Sequence, residues 1–259
     1  MPPNLRQTIG AIIFDFNGVL ADDETPHVLC FQQALAEFGL SLTVEDYYGA
    51  YLGMDERTCA ALLLRARGDG HNDGLLDRVI ARKTELFALR TADDKPPLFP
   101  GAAEFVKAAR ATYRLAIASG GRRHQIDRAI QGTPIERDFD VMVAAEDCPI
   151  GKPDPAIYRM TLARLNNAGH TPLSASNCLV IEDSLAGIRA ARQAGMKILA
   201  VATTYPAEKL READGVLPGF FGLTPEAAIG MLTGIGPDGR LPHPAPITVP
   251  VTATPSKGE

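Results

Sequence analysis

The stretch Ala11-Ile-Ile-Phe14-Asp15-Phe-Asn17-Gly-Val-Leu20 runs through four apolar residues and stops at a carboxylate. A short continuous apolar run with β-branched residues suits a strand buried on both faces of a parallel sheet; a half-exposed antiparallel strand would alternate. Runs of the same kind recur at 115–118, 141–144, 179–181 and 198–201, alternating with segments of helical periodicity. That alternation marks βαβ units. The chain reads as α/β, with a doubly wound parallel sheet as its core.

Between residues 22 and 98 no comparable strand run appears. Helical patterns cover 27–38, 44–50, 55–67 and 75–89, broken by glycines at Gly39, Gly53 and the Gly68–Gly74 loop. This predicts an all-helical cap at 22–98 inserted into a core made of 1–21 and 99–235. Residues 236–259 hold six prolines and read as a disordered or extended tail.

Composition narrows the function. Of 259 residues, 46% are hydrophobic and 22% charged, which excludes a disordered, collagenous or disulfide-scaffold chain. Lysine plus arginine number 26 against 31 acidic residues, a net charge of −5, and no basic block is present to engage a run of phosphates, so nucleic acid is not an expected partner. Cys30, Cys59, Cys148 and Cys178 lie far apart without a C-x-x-C, arguing against a zinc site or a disulfide framework and for a reducing cytoplasm. The apolar run before Asp15 is too short for a signal sequence or a membrane span, so a cytoplasmic protein with no membrane partner is expected.

In an open parallel sheet, ligands bind beyond the carboxyl ends of the strands. Asp15-Phe-Asn17-Gly follows the first strand, Ser119-Gly120-Gly121 the second, Gly151-Lys152-Pro-Asp-Pro the third and Glu182-Asp183-Ser184 the fourth. Clustered carboxylates repel unless a cation offsets them, and Mg2+ suits hard oxygen ligands beside a phosphate. The Ser119 hydroxyl and the free amides from Gly120 onward can hold phosphate oxygens, while Lys152 supplies a point charge. Each motif alone has an ordinary explanation: Asn17-Gly18 as a hairpin turn, Glu182-Asp183-Ser184 as a helix cap, Gly151–Pro155 as a proline turn. Their order behind four successive strands points to phosphoryl transfer.

With Asp22-Asp-Glu24-Thr-Pro-His27 and Phe99-Pro-Gly101, these motifs resemble the haloacid dehalogenase-like superfamily, in the branch of phosphoglycolate phosphatase and β-phosphoglucomutase, over about residues 11–232. The resemblance implies that Asp15 is the nucleophile and forms an aspartyl-phosphate that water hydrolyses. It implies Mg2+ held by Asp15, the Asn17 carbonyl, Asp183 and, directly or through water, Glu182, with Ser119, Gly120 and Lys152 on the phosphoryl group. Cap candidates for the substrate are His27, which could equally pack at the hinge, and Arg57, for which a solvated helix residue is the favoured reading. The expected partner is a small phosphorylated metabolite, handled by a monomer or homodimer.

One position departs from the pattern. The family's phosphatases carry a second aspartate two residues after the nucleophile as acid and base; here Asn17 stands there. An amide cannot shuttle a proton at neutral pH, which should lower the rate by about 10²–10⁴ without abolishing it, and should lengthen the life of the phospho-enzyme. Asp22, Asp23, Glu24 or His27 could substitute. The alternative is a catalytically silent chain binding Mg2+ and a phosphometabolite or a protein partner; a β-phosphoglucomutase-like isomerase and a dehalogenase rank lower. A phosphonoacetaldehyde hydrolase would need a cap lysine near the Gly53 turn, and Lys83 and Lys95 are both expected away from it.

Overall fold

The computed structural model describes residues 9–66, 68, 73–92, 95–168 and 171–232. The tail expected at 236–259 lies outside the described residues. Strands in chain order are β1 (Ala11–Phe14), β2 (Arg114–Ala118), β3 (Val141–Val143), β4 (Cys178–Glu182), β5 (Lys197–Val201) and β6 (Gly215–Leu217). They form one parallel sheet in the order β3-β2-β1-β4-β5-β6. β1 and β4 sit at its centre, every residue of both buried, which is why their sequences are apolar without alternation.

Side chains alternate between the two faces of the sheet. Ala11 and Ile13 join one apolar cluster with Ala116, Val180 and Ile198, and Ile12 and Phe14 join another with Leu115, Ile181 and Leu199. The first cluster is covered by α6 (Ala156–Asn167) and α7 (Leu185–Gln193), the second by α4 (Ala102–Arg110), α5 (Arg123–Ile130) and α8 (Pro225–Met231). Helices on both faces make the sheet doubly wound.

Between β1 and β2 the chain is helical, with α1 (Glu24–Ala36), α2 (Glu56–Ala66) and α3 (Asp73–Arg90). One short turn at Val44–Asp46 continues into a π-helical turn at Tyr47–Tyr51. Cys30 and Ala34 of α1 pack on Leu86 and Phe87 of α3. The segments entering and leaving this insert run side by side: Asp22 N–H donates to Pro97 O at 2.9 Å and Phe99 N–H to Leu20 O at 3.0 Å. All four cysteines are buried and free. No helix among the described residues is long and apolar enough to cross a membrane.

Element limits shift from those read in the sequence mainly at helix starts. α1 begins at Glu24 rather than residue 27, because Pro26 fits the first helical turn. The strand at β6 has no counterpart in the sequence reading, being only three residues long.

Candidate active site

Asp15 directly follows β1, its N–H donating to Ile181 O at 3.0 Å, and the residue is only 4% exposed. The loop behind it is tightly wound: the amides of Leu20 and Ala21 both donate to Phe16 O, and Gly18 N–H donates to Ala21 O at 2.9 Å. Gly18 has φ +73°, which a glycine adopts without a Cβ penalty.

Lys152 is buried with its Nζ 2.9 Å from Asp15 Oδ1 and 2.7 Å from Glu182 Oε1. Burial works against its charge, but the two carboxylates outweigh it and hold the ammonium above its usual range. Asp15 is pushed up to about 6 by burial, with Lys152 pulling it down and Glu182 pushing it up. The lysine fixes the Asp15 carboxylate from behind.

Glu182 accepts on both oxygens. Oε1 takes Lys152 Nζ and, at 2.8 Å, the Tyr158 hydroxyl; Oε2 takes the amides of Asp183 and Ser184 at 3.0 Å and Ser184 Oγ at 2.9 Å. With its acceptor positions taken by protein donors, Glu182 holds Lys152 in place. Ser184 also caps α7, accepting from Gly187 N–H at 3.0 Å, so the capping reading of this motif holds alongside the site reading. Gly187 is required for a separate reason: a Cβ there would overlap the Glu182 carboxylate.

Asp15, Glu182 and Asp183 offer carboxylate oxygens all within 4.8 Å of one another. Asp183 receives the Thr204 hydroxyl at 2.5 Å, and burial together with Glu182, Asp15 and Glu24 drives its pKa far above the ordinary range. Lys152 pairs with two of these three carboxylates, and Asp15 and Asp183 are the two not saturated by protein donors. A hard divalent cation fits that donor set.

Asn17 faces Ser119, whose Oγ donates to Asn17 Oδ1 at 3.2 Å and accepts from Gly121 N–H at 3.0 Å. The Asn17 amide nitrogen donates to Asp23 Oδ2 at 2.5 Å and lies 3.3 Å from His27 Nε2. Lys83 Nζ lies 2.6 Å from His27 Nδ1 and pairs with Glu56 Oε1. A lysine donating to Nδ1 places the ring proton on Nε2, toward Asp23 Oδ2 at 3.4 Å. His27 also stacks on Phe87, ring centroids 4.2 Å apart. Arg122 Nε reaches Glu56 Oε2 at 3.1 Å, tying the insert to the start of α5. Burial would raise Glu56, but Lys83, His27 and Arg122 prevail and hold it at about 2.

These groups surround a cleft of about 490 Å³, counting its open mouth, lined by Asp15, Asn17, Ser119, Gly120 and Asp183 on the sheet side and by Glu24, His27, Phe31, Tyr47, Met54 and Glu56 on the insert side. Gly53, with φ +79°, closes it where the insert meets Ser184; any Cβ would strike the serine. Among the described residues Glu24 accepts only a long bond from the Tyr47 hydroxyl, at 3.4 Å, and burial, Asp23 and Asp15 raise it to about 8.

Asp15, Asn17, Ser119, Gly120, Lys152, Glu182, Asp183 and His27 therefore converge at one place. Arg57 does not: it is exposed on α2 and paired with Asp77 at 2.9 Å, pointing away from the cleft. The neighbouring Glu56 faces inward instead. Lys83, expected away from the Gly53 turn, is wholly buried and contacts His27 and Glu56, two residues of the cleft wall. Glu56 and Lys83 are 27 residues apart and share no local pattern that could have joined them. Glu24 and His27, three apart on α1, do share a helical face, and that spacing was the available signal.

A family model for haloacid dehalogenase-like hydrolases matches residues 9–195. Among curated proteins, the chain is 35% identical over 210 residues to the plasmid protein CbbY of Cupriavidus necator, covering 76% of this chain and 80% of that one. It is 31% identical over 197 residues to the phosphorylated carbohydrates phosphatase of Thermotoga maritima, covering 72% and 82%. Among solved structures, a point mutant of CbbY from Rhodobacter sphaeroides in complex with xylulose-(1,5)bisphosphate superposes with a TM-score of 0.70 at 28% identity, covering 84% of this chain and 98% of that one.

Proposed function

The chain belongs to the haloacid dehalogenase-like hydrolases, and from that premise we propose that it is a Mg2+-dependent phosphohydrolase acting on a small phosphorylated metabolite through an aspartyl-phosphate at Asp15. The observation that carries the reading is the Asp15 carboxylate at the floor of the cleft, pinned by Lys152 at 2.9 Å and facing Ser119 and Gly120 across it. Its relation to a phosphatase of phosphorylated carbohydrates supports a sugar or polyol phosphate as the substrate class.

In this reading Ser119 Oγ and the Gly120 amide orient the phosphoryl oxygens, and Lys152 offsets their charge. An Asp15 oxygen attacks phosphorus, the bond from phosphorus to the leaving oxygen breaks, and the leaving group departs with a proton from solvent. Water then attacks the aspartyl-phosphate, releasing phosphate and restoring the carboxylate. Asp15, Asp183 and the Asn17 carbonyl would hold Mg2+, which when bound neutralises charge developing on the phosphoryl oxygens. Asn17 contributes hydrogen bonds but no proton, so both steps run without a built-in acid and base at that position, and acyl or aryl phosphates should react faster than alkyl esters.

The test is Mg2+-dependent phosphate release from acetyl phosphate and p-nitrophenyl phosphate by the native chain, Asp15→Asn and Asn17→Asp. Native turnover that disappears in Asp15→Asn and rises in Asn17→Asp supports the proposal. A native chain inert toward both compounds would refute it in favour of a binding role. In Asn17→Asp the new carboxyl would meet Asp23 at hydrogen-bond distance, so one of the pair must keep a proton, which is what an acid catalyst requires.

A further inference from the structure

We propose that the cleft selects phosphate monoesters whose leaving group carries an amine or hydroxyl donor and rejects a second phosphate, with Glu24 as the residue that reads the leaving group. This rests on the phosphohydrolase reading and goes beyond it in naming the chemistry of the substrate's far end.

The argument is one of charge. Four carboxylates line the cleft, Asp15, Glu24, Glu56 and Asp183, and among the described residues no lysine or arginine does. The nearby cations are committed elsewhere: Lys152 to Asp15 and Glu182, Lys83 to Glu56 and His27, Arg122 to Glu56. Asp15 and Asp183 belong to the phosphate end, where a bound divalent cation would offset them. Glu56 is balanced by its two cations. Glu24 alone of the four has neither; among the described residues it forms no ion pair, and its bond from Tyr47 at 3.4 Å is longer than a strong O–H···O contact.

A phosphate placed at this end would meet no lysine or arginine to receive it. A donor from an alcohol would find a free acceptor, and an ammonium would find a counter-charge as well as the rings of Tyr47 and Phe31, both on the same wall. Sites built around an unpaired acceptor discriminate for the ligand that supplies the donor. Burial, Asp23 and Asp15 raise Glu24 to about 8, so it keeps its proton at neutral pH until an ammonium seated beside it draws that proton off and completes the counter-charge.

The experiment measures kcat/KM with Mg2+ for glucosamine 6-phosphate, glucose 6-phosphate, fructose 6-phosphate and fructose 1,6-bisphosphate, each normalised to acetyl phosphate. Glucosamine 6-phosphate should exceed glucose 6-phosphate, and fructose 6-phosphate should exceed its bisphosphate by about tenfold or more. Glu24→Gln should erase the amine preference, and Glu24→Lys should raise the bisphosphate by about tenfold or more relative to the monophosphate. A bisphosphate used as well as the monophosphate by the native chain, or a ratio unmoved by Glu24→Lys, overturns the inference while leaving the hydrolase reading intact. Calorimetric binding of the same four compounds to Asp15→Asn with Mg2+ separates the two the other way. If no compound is turned over by the native chain, tighter binding of the amine monophosphate still supports the selectivity, and equal or absent binding overturns it.

Discussion

Replacing Lys83 by methionine removes the charge that Glu56 and His27 share. Lys83 is fully buried and its ammonium lies 5.1 Å and 4.8 Å from the ring centroids of Phe31 and Phe87, so methionine fills the space with little loss of apolar contact. The electrostatic loss is larger. Glu56 stands at about 2 in place of its ordinary 4.5, and at about 1.36 kcal/mol for each tenfold change in acidity its cation partners stabilise the folded chain by about 3 kcal/mol. Breaking a buried pair costs about 3–5 kcal/mol. Arg122 remains as a partner, which places Lys83→Met near the lower end, about 3 kcal/mol, or about 6–12 °C in Tm at this chain length.

Urea titration and thermal melts at pH 7 read the loss directly. The double variant Lys83→Met with Glu56→Gln should recover most of it, since no uncompensated carboxylate stays buried. Acid gives an independent check. A carboxylate held below its unfolded pKa stabilises the fold above about 4.5 and ceases to do so as pH falls through about 2. The gap between native chain and variant should therefore close across that window. A loss under about 1 kcal/mol, or a double variant as damaged as the sum of its parts, would refute the reasoning.

Two further outcomes follow from the same geometry. Gly187→Ala drives a Cβ into the Glu182 carboxylate and through it disturbs Lys152, so stability should fall by about 1–3 kcal/mol and phosphate release by about tenfold or more; a variant matching the native chain in both would remove Glu182 from its positioning role. Arg57→Ala breaks only an exposed pair with Asp77 and should change stability by no more than about 0.5 kcal/mol and kcat/KM by less than about twofold, whereas a large rise in KM would return Arg57 to the substrate.

The sheet was legible because each buried strand is a continuous apolar run ending at a polar residue: Phe14 before Asp15, Ala118 before Ser119, Ile181 before Glu182. Strand order alone then places Asp15, Ser119 and Asp183 at one edge. What sequence could not supply was side-chain direction on the helices. Glu56 and Arg57 are neighbours with equal claim to polarity, yet about 100° of helical rotation sends one into the cleft and the other into solvent. Lys83 escaped for a related reason: a buried lysine is rare enough that its place on α3 reads as surface until its partners from α1 and α2 are seen beside it.

The Asp15 loop also bears on how the chain ages. Asparagine followed by glycine is the pair most prone to deamidation, in which the glycine nitrogen attacks the asparagine side-chain carbonyl and closes a cyclic imide. Here the Gly18 N–H is tied to Ala21 O, and the Asn17 amide is clamped on one side by Ser119 and on the other by Asp23. The nitrogen is engaged and the carbonyl carbon is held from swinging toward it. The same bonds that shape the nucleophile loop thus preserve the amide at the position where its conversion to a carboxylate would alter the chemistry.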